Sequence, residues 1–119
     1  MALNLVNVAT ITGLTSILLN PGTSSTAFVP TVTPAAGTLI RLNSVYVCNT
    51  TSGSLTASLF INRSGTDHAL ASALACAANT TTVIVIKDSP VYLEETTDIL
   101  EAAGSATGLS FTASYELLA

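Results

Sequence analysis

The sequence predicts an all-β fold, an antiparallel, jelly-roll-like β-sandwich, because apolar and polar residues alternate along several short segments separated by turn residues. No helical periodicity alternates with these segments, which argues against an α/β fold. The 119 residues fit one domain. We expect residues 38–119 to form the sandwich core and residues 1–37 to form an N-terminal strand and an extended arm.

The N-terminal segment holds three of the four prolines of the chain. A strand is predicted over residues 3–12, after which proline removes the backbone donors that a continuous ladder needs. Two arrangements fit: an extended arm that docks on a neighbouring subunit, or a strand added to the chain's own sheet. The residues expected to contact a partner in the first arrangement are Pro21, Phe28, Pro30 and Pro34.

Two strands are predicted next along the chain. Residues 38–49 form a long apolar strand that ends in turn residues at 50–53. Residues 54–63 alternate, so that one face carries Leu55, Ala57, Leu59 and Ile61. Because the turn between the two strands is short, residues 45–61 are predicted to form a hairpin.

The middle of the chain contains one ambiguous segment and one clear one. Residues 64–67, Ser-Gly-Thr-Asp, predict a turn. Residues 68–78 are rich in alanine and fit either a strand with small side chains or a turn or two of helix. Residues 80–87 are β-branched almost throughout, which predicts a strand covered on both faces, and Pro90 ends it.

Three further strands are predicted in the last third of the chain. They cover residues 91–94, 98–103 and 109–117, and Gly104 and Gly108 bracket the turn before the last of them. Alternation places one set of residues on a single face of that strand: Leu109, Phe111, Ala113, Tyr115 and Leu117.

The composition predicts a protein that works in an assembly. Only 8% of the residues are charged, against about 25% in an ordinary domain, so the surface is poor in charges that oppose association. The three basic residues, Arg41, Arg63 and Lys87, are too few to neutralise a run of phosphates, which excludes a nucleic-acid partner. No apolar run has the length of a membrane span, and the start lacks the basic region of a secretion signal.

No catalytic or cofactor-binding residue is predicted, and we expect the protein not to be an enzyme. His68 follows Asp67 directly, and adjacent side chains point apart in an extended chain, so a solvated turn histidine is the simpler interpretation. Neither Cys48 nor Cys76 has a basic neighbour that would activate a thiolate. Cys48 is expected to be a small buried apolar residue, with a Cys48–Cys76 bridge as the alternative.

Four acidic residues cluster within eight positions, and their oxygens could bind a cation such as Ca²⁺. They are Glu94, Glu95, Asp98 and Glu101. The cluster lacks the spacing of a calcium-binding loop, and the chain has no Trp to form a sugar platform beside a carboxylate pair. A solvated turn is therefore preferred, with a structural cation as the alternative, and no metal site is predicted.

Several segments together resemble small β-sandwich structural proteins of tailed bacteriophages, of the cyanophage and marine-phage type. They are Asn-Val-Ala-Thr-Ile-Thr-Gly at 7–13, Leu-Ile-Arg-Leu-Asn-Ser-Val-Tyr-Val-Cys-Asn at 39–49, Ser-Leu-Thr-Ala-Ser-Leu-Phe-Ile-Asn at 54–62, Val-Ile-Val-Ile-Lys-Asp at 83–88, Val-Tyr-Leu-Glu-Glu at 91–95 and Ala-Ser-Tyr-Glu-Leu at 113–117. These are packing patterns that unrelated sandwiches can share. The chain departs from the family at Thr96, where a glycine usually follows the acidic pair.

The resemblance implies a virion component without an active site, located in the particle after assembly in the host cytoplasm. Its implied partners are major capsid or other virion proteins, and the chain is expected to form a homo-oligomer. A capsid decoration or cement protein is the first interpretation. A neck, tail or fibre-attachment protein is the first alternative, and a carbohydrate-binding or host-adhesion module is the second.

Overall fold

A computed structural model describes residues 5–30 and 34–119 of the chain. After a turn of 3-10 helix at Leu5–Asn7, the described part is built from strands alone. They are β1 (Ile11–Leu19), β2 (Thr26–Val29), β3 (Leu39–Asn49), β4 (Leu55–Arg63), β5 (Thr66–Cys76), β6 (Thr81–Val85), β7 (Val91–Leu93), β8 (Asp98–Gly104) and β9 (Leu109–Leu118). No helix in these ranges has the length and hydrophobicity that crossing a membrane requires.

Two antiparallel sheets form a sandwich, as the sequence predicts. One sheet has the order β1-β9-β3-β6, with β7 beside β6 on the same edge of β3, and the other has the order β2-β8-β4-β5. The β4–β5 and β6–β7 connections each stay within one sheet. Every other connection between these strands carries the chain from one sheet to the other. If β6 and β7 are counted as one broken strand, this is the eight-stranded order of a jelly roll.

The β4–β5 connection is the one tight hairpin in the described part of the chain. Arg63 pairs with Thr66, so the loop has two residues, Ser64 and Gly65. Both have positive φ values, 54° and 90°, as a type I′ turn requires. Glycine adopts this conformation without the steric cost that a side chain adds, which is why the Ser-Gly pair can close the turn.

The core lies between the sheets and is formed by the inward positions predicted for β4 and β9. Ala57 and Leu59 are fully buried in β4, as are Phe111 and Ala113 in β9. Phe28 and Phe111 meet edge to face, with ring centroids 6.2 Å apart. The same core cluster also contains Val29, Ile40, Leu42, Val45, Val47, Val85, Leu93, Leu100 and Leu109.

Three predictions about individual elements are wrong. The first strand covers Ile11–Leu19 and not residues 3–12, of which residues 3 and 4 lie outside the described residues. Residues 45–61 do not form a hairpin, because β3 and β4 belong to different sheets and their turn spans the sandwich. The β-branched strand near residue 83 is an edge strand, and the Val83 side chain is 55% exposed instead of covered.

The described part of the N-terminal segment lies within the chain's own sheets. β1 pairs with β9 along nine residues, and β2 pairs with β8. This is the second of the two arrangements left open by the sequence. Phe28 and Pro34 are buried, Pro21 is buried beside the β1–β2 turn, and Pro30 is half-buried. Residues 31–33 of the predicted arm lie outside the described residues, and partner binding by the segment stays a prediction.

Candidate interaction surface

The feature of this fold that is best suited to binding is the free edge of β1, which we call the β1 edge. β1 is the terminal strand of its sheet, and β9 is the strand with which it pairs. Within residues 5–30 and 34–119, no strand pairs with the opposite side of β1. A strand edge of this kind presents a row of backbone donors and acceptors to any strand that approaches.

The hydrogen bonds at the two ends of β1 show which backbone groups face outward. Thr10 exchanges two backbone bonds with Ala119, at 2.9 and 3.0 Å, and Asn20 donates to the Leu109 carbonyl at 2.9 Å. Backbone groups alternate in direction along a strand, so the even-numbered residues of β1 face β9. The N–H and C=O groups of residues 11, 13, 15, 17 and 19 therefore point away from the sheet.

The side chains along the β1 edge are apolar and exposed. Ile11, Ile17 and Leu19 are 62%, 65% and 66% exposed, and all three lie on the outer face of the sheet. β1 contains no charged residue and no proline. Long apolar edge strands without such features readily pair with other chains.

The other edges in the described part of the chain each carry a feature that hinders such pairing. β2 has four residues and is followed by Pro30. β5 contains Asp67 and His68, and its register with β4 shifts twice. β6 has five residues and a register shift, and β7 has three and follows Pro90. Charges, prolines, irregular register and short length all weaken edge pairing, so β1 stands apart from the other edges.

An apolar cavity of about 330 Å³ opens beside the β1 edge on the inner side of its sheet. Its lining residues are Leu14, Pro30, Pro34, Ala35, Thr38, Ile40, Tyr115 and Leu117. Leu14 belongs to β1 and is 40% exposed, so the cavity extends to the β1 edge. Pro30 and Pro34, two of the residues predicted to contact a partner, line this cavity, whereas Phe28 packs in the core, and partner contact by these residues stays a prediction.

Of the four acidic residues that the sequence groups together, the structure keeps only Glu94 and Asp98 together, on Arg63. Asp98 is fully buried and accepts two bonds of 2.7 Å from Arg63, which also pairs with Glu94 at 2.6 Å. Glu95 accepts a hydrogen bond from the backbone of Gly37. Within the described residues, no cluster of three metal-ligating side chains is found, and the carboxylates have protein donors instead.

Glu101, the fourth of these residues, lies on the outer face of the other sheet beside Asp67. Asp67 accepts hydrogen bonds from Ser25 at 2.6 Å and from Asn62 at 2.7 Å. The bond from Ser25, followed by those involving Glu101 and Asn62, lowers the pKa of Asp67. Burial, followed by the hydrogen bond and charge of Asp67, raises the pKa of Glu101. The two carboxyl groups therefore lie close enough for each to change the pKa of the other.

Replacing Glu101 by glutamine is expected to stabilise the protein at pH 7 by about 0.5 kcal/mol, because two like charges no longer lie side by side. The raised pKa means that Glu101 binds its proton more tightly in the folded state than in the unfolded state. This proton binding stabilises the folded protein at low pH, and the stabilisation is lost as the pH rises through the folded pKa. The gain should therefore shrink at pH 4. Urea denaturation at both pH values measures it, with the exposed Asp88→Asn as control, and a loss of stability at pH 7 would contradict the argument.

The remaining candidate residues are not brought together. Both cysteines are free, Cys76 buried in β5 and Cys48 half-buried in β3, so the predicted burial of Cys48 is only partial. Cys48 pairs with Ser110 of β9, an outward position, whereas Cys76 is fully buried in the other sheet. His68 lies in β5 and not in the turn, and it is exposed as expected.

Sequence reasoning missed the β1 edge because it placed the first strand too early. The run Ile-Thr-Gly-Leu-Thr-Ser-Ile-Leu-Leu is rich in β-branched and apolar residues and carries no charge, which is a signal for a strand over Ile11–Leu19. Its position at an edge follows from the pairing of β1 with β9. Local sequence carries little information about a partner strand that lies so far along the chain.

Comparison with known proteins gives matches among solved structures. No protein-family model matches the sequence, and no curated protein matches it. Similar solved structures include a chain of the infectious bursal disease virus Gx strain, with 13% identity, a TM-score of 0.49 and coverage of 93% of this chain and 32% of that one. A chain of the T13 viral particle of infectious bursal disease virus gives 16% identity and a TM-score of 0.48, and the coverages are 93% and 31%.

A third structure comes from the virus-like particle of extra small virus of the giant freshwater prawn Macrobrachium rosenbergii. It is 10% identical, with a TM-score of 0.43, and the match covers 97% of this chain and 83% of that one. The present chain spans about a third of the length of the first two. None of the three is specific to tailed bacteriophages, so that resemblance stays a prediction.

Proposed function

We propose that the protein is a structural component of a virus particle and acts through protein–protein contacts, without catalysis. The observation that carries this proposal is the β1 edge, an uncharged strand edge with three apolar side chains more than 60% exposed. Such a surface favours association over a solvated monomer. The resemblance of several segments to virion proteins of tailed bacteriophages supports a virus particle as the assembly in which the protein acts.

The more specific proposal is a capsid decoration or cement protein that bridges neighbouring major capsid subunits. Its low charge supports this role, because 8% charged residues give little electrostatic repulsion between copies packed closely on a shell. Many copies, each binding weakly, can stabilise a particle through avidity. The partners are then major capsid or other virion proteins, and the location is the virion after assembly in the host cytoplasm.

The alternative positions differ in the number of copies that a particle needs. A decoration protein covers the shell, whereas a neck, tail or fibre-attachment protein forms one ring or a few. A host-adhesion module that binds glycans could act outside the particle altogether. No described feature favours glycan binding specifically, and the chain has no Trp to stack against a sugar.

Quantitative mass spectrometry of purified particles tests the proposal by measuring this chain relative to the major shell protein. We expect a copy number comparable to that of the shell protein. A number that fits a single ring would move the protein to the neck or tail. Its absence from particles that retain their other accessory proteins would overturn the virion role, and glycan-array binding by the full chain would then favour adhesion.

A further inference from the structure

We propose that the β1 edge binds the β1 edge of a second copy of this chain, in an antiparallel ladder centred on Thr15 and continuous across both subunits. The inference rests on the proposed structural function and specifies the partner of the same surface. Its first support is the direction of the backbone groups. Residues 11, 13, 15, 17 and 19 present donors and acceptors that pair with no strand in the described part of the chain, and a twofold axis at Thr15 places each of these residues opposite one of the same set.

The resulting ladder pairs Ile11 with Leu19, Gly13 with Ile17 and Thr15 with Thr15, each residue facing its counterpart in the second copy. Every one of these pairs exchanges two backbone bonds in an antiparallel ladder, which gives about ten bonds over the full length of β1. A twofold axis at any other residue of the strand leaves outward-facing groups at one end unpaired. Thr15 is therefore the centre that satisfies the most backbone groups.

The side chains are also complementary in this register. Gly13 is opposite Ile17, and no atom lies within 4 Å of the position that a Gly13 side chain would occupy, so there is room for the larger residue. The exposed Ile11 and Leu19 meet at both ends and cover each other's apolar surface. Cross-strand pairs of this kind are the units that stabilise a sheet.

No charge on the β1 edge opposes such pairing. The net charge of −4 comes from few ionisable groups, and none of them belongs to β1. β1 has no charge, and Glu116, opposite Gly13 on β9, is neutralised by Arg41 at 2.6 Å. An isologous contact requires one patch that complements itself, and an uncharged, symmetric strand edge meets that requirement.

Cysteine cross-linking of the full-length protein tests the register. Facing residues of a hydrogen-bonded antiparallel pair have Cα atoms about 5.5 Å apart, which suits a disulfide. Thr15→Cys should therefore form a covalent dimer with oxidised glutathione, at least about tenfold faster than Ile11→Cys, whose two copies would lie about 26 Å apart. The wild type, with Cys48 and Cys76, gives the background. Equal rates for the two variants would overturn the register.

Sedimentation velocity tests the pairing itself. Thr15→Pro removes an outward N–H that takes no part in the pairing with β9, so the home sheet is retained while the dimer should dissociate. Val83→Lys is the matched control, because it places a charge on the same outer face at the opposite edge and should leave the dimer intact. Equal melting temperatures of the Thr15→Pro monomer and the wild-type monomer, compared at high dilution, establish that the variant folds.

A wild-type protein that sediments as a monomer, or a dimer that survives Thr15→Pro, would overturn the inference. The two proposals fail in different ways. A monomeric protein present in particles refutes the strand pairing and leaves the virion role intact. A Thr15-centred dimer that is absent from particles refutes the virion role and leaves the pairing intact. Capture of a strand from another virion protein by the β1 edge of a monomer would also refute self-pairing.

Discussion

Replacing Asp98 by alanine is expected to lower the free energy of unfolding by about 3 kcal/mol. The carboxylate is fully buried and accepts bonds from Arg63, from the Glu94 backbone at 2.8 Å and from the Thr97 hydroxyl at 2.9 Å. Its removal leaves these donors without their acceptor. Because the Arg63 side chain is 46% exposed, water can replace part of the lost pairing, which keeps the loss near the lower end for buried ion pairs.

Urea denaturation at pH 7 measures the loss, and Asp88→Ala, in an exposed turn, should change stability by less than about 0.5 kcal/mol. Burial raises the pKa of Asp98. The hydrogen bonds from Arg63, Glu94 and Thr97 lower this pKa by a larger amount, so it lies below its ordinary value. The contribution of the carboxylate is therefore present above its unfolded pKa of about 3.9 and lost as the pH falls through the folded value. An Asp98→Ala variant as stable as the wild type at pH 7 would show that the buried pair contributes nothing net.

Replacing Phe111 by alanine is expected to lower the free energy of unfolding by about 4 kcal/mol, through the lost apolar contacts and the cavity left behind. Phe111 is fully buried at the centre of β9, pairs with Leu18 on one side and Val47 on the other, and packs edge to face against Phe28. One side chain thus connects three strands of its sheet to β2 of the facing sheet.

Thr112→Ala is the matched control, because the next residue of the same strand points to the outer face. Thr112→Ala should lower the free energy of unfolding by well under about 1 kcal/mol, because a partly exposed β-branched residue contributes only cross-strand packing. Equilibrium denaturation of both variants gives the comparison. A loss below about 1 kcal/mol for Phe111→Ala would mean that the core refills the space, contrary to its packing around the ring.

The alternation of apolar and polar residues predicts the sandwich, because it identifies which side chains of each strand point inward. Ala57 and Leu59 in β4, and Phe111 and Ala113 in β9, are buried as their alternation indicates. Pairing between distant strands is not encoded in that way. The short turn after β3 predicts a hairpin with β4, yet the chain crosses to the other sheet there, since β3 pairs with β6, β7 and β9.

The candidate site was predictable only in part for the same reason. The low charge indicates association, and Pro30 and Pro34 were singled out in the segment that lines the apolar cavity beside β1. The exposure of Ile17 and Leu19 depends on β1 being an edge strand, which the pairing with β9 determines. Likewise, the sequence predicts a solvated turn around Asp98, with a cation as the alternative, whereas Asp98 is buried and pairs with Arg63, 35 residues away.

The pairing of β1 with β9 also determines the order in which the chain can fold. Leu14 pairs with Tyr115 across about a hundred residues, and the intervening loop must be closed before that pairing contributes any stability. The β4–β5 hairpin is closed by two residues and can form first. We therefore expect slow folding, over milliseconds to seconds, with β1 joining its sheet among the last elements. During synthesis on the ribosome, β1 emerges about a hundred residues ahead of β9, so the segment most prone to self-pairing waits longest for its partner strand.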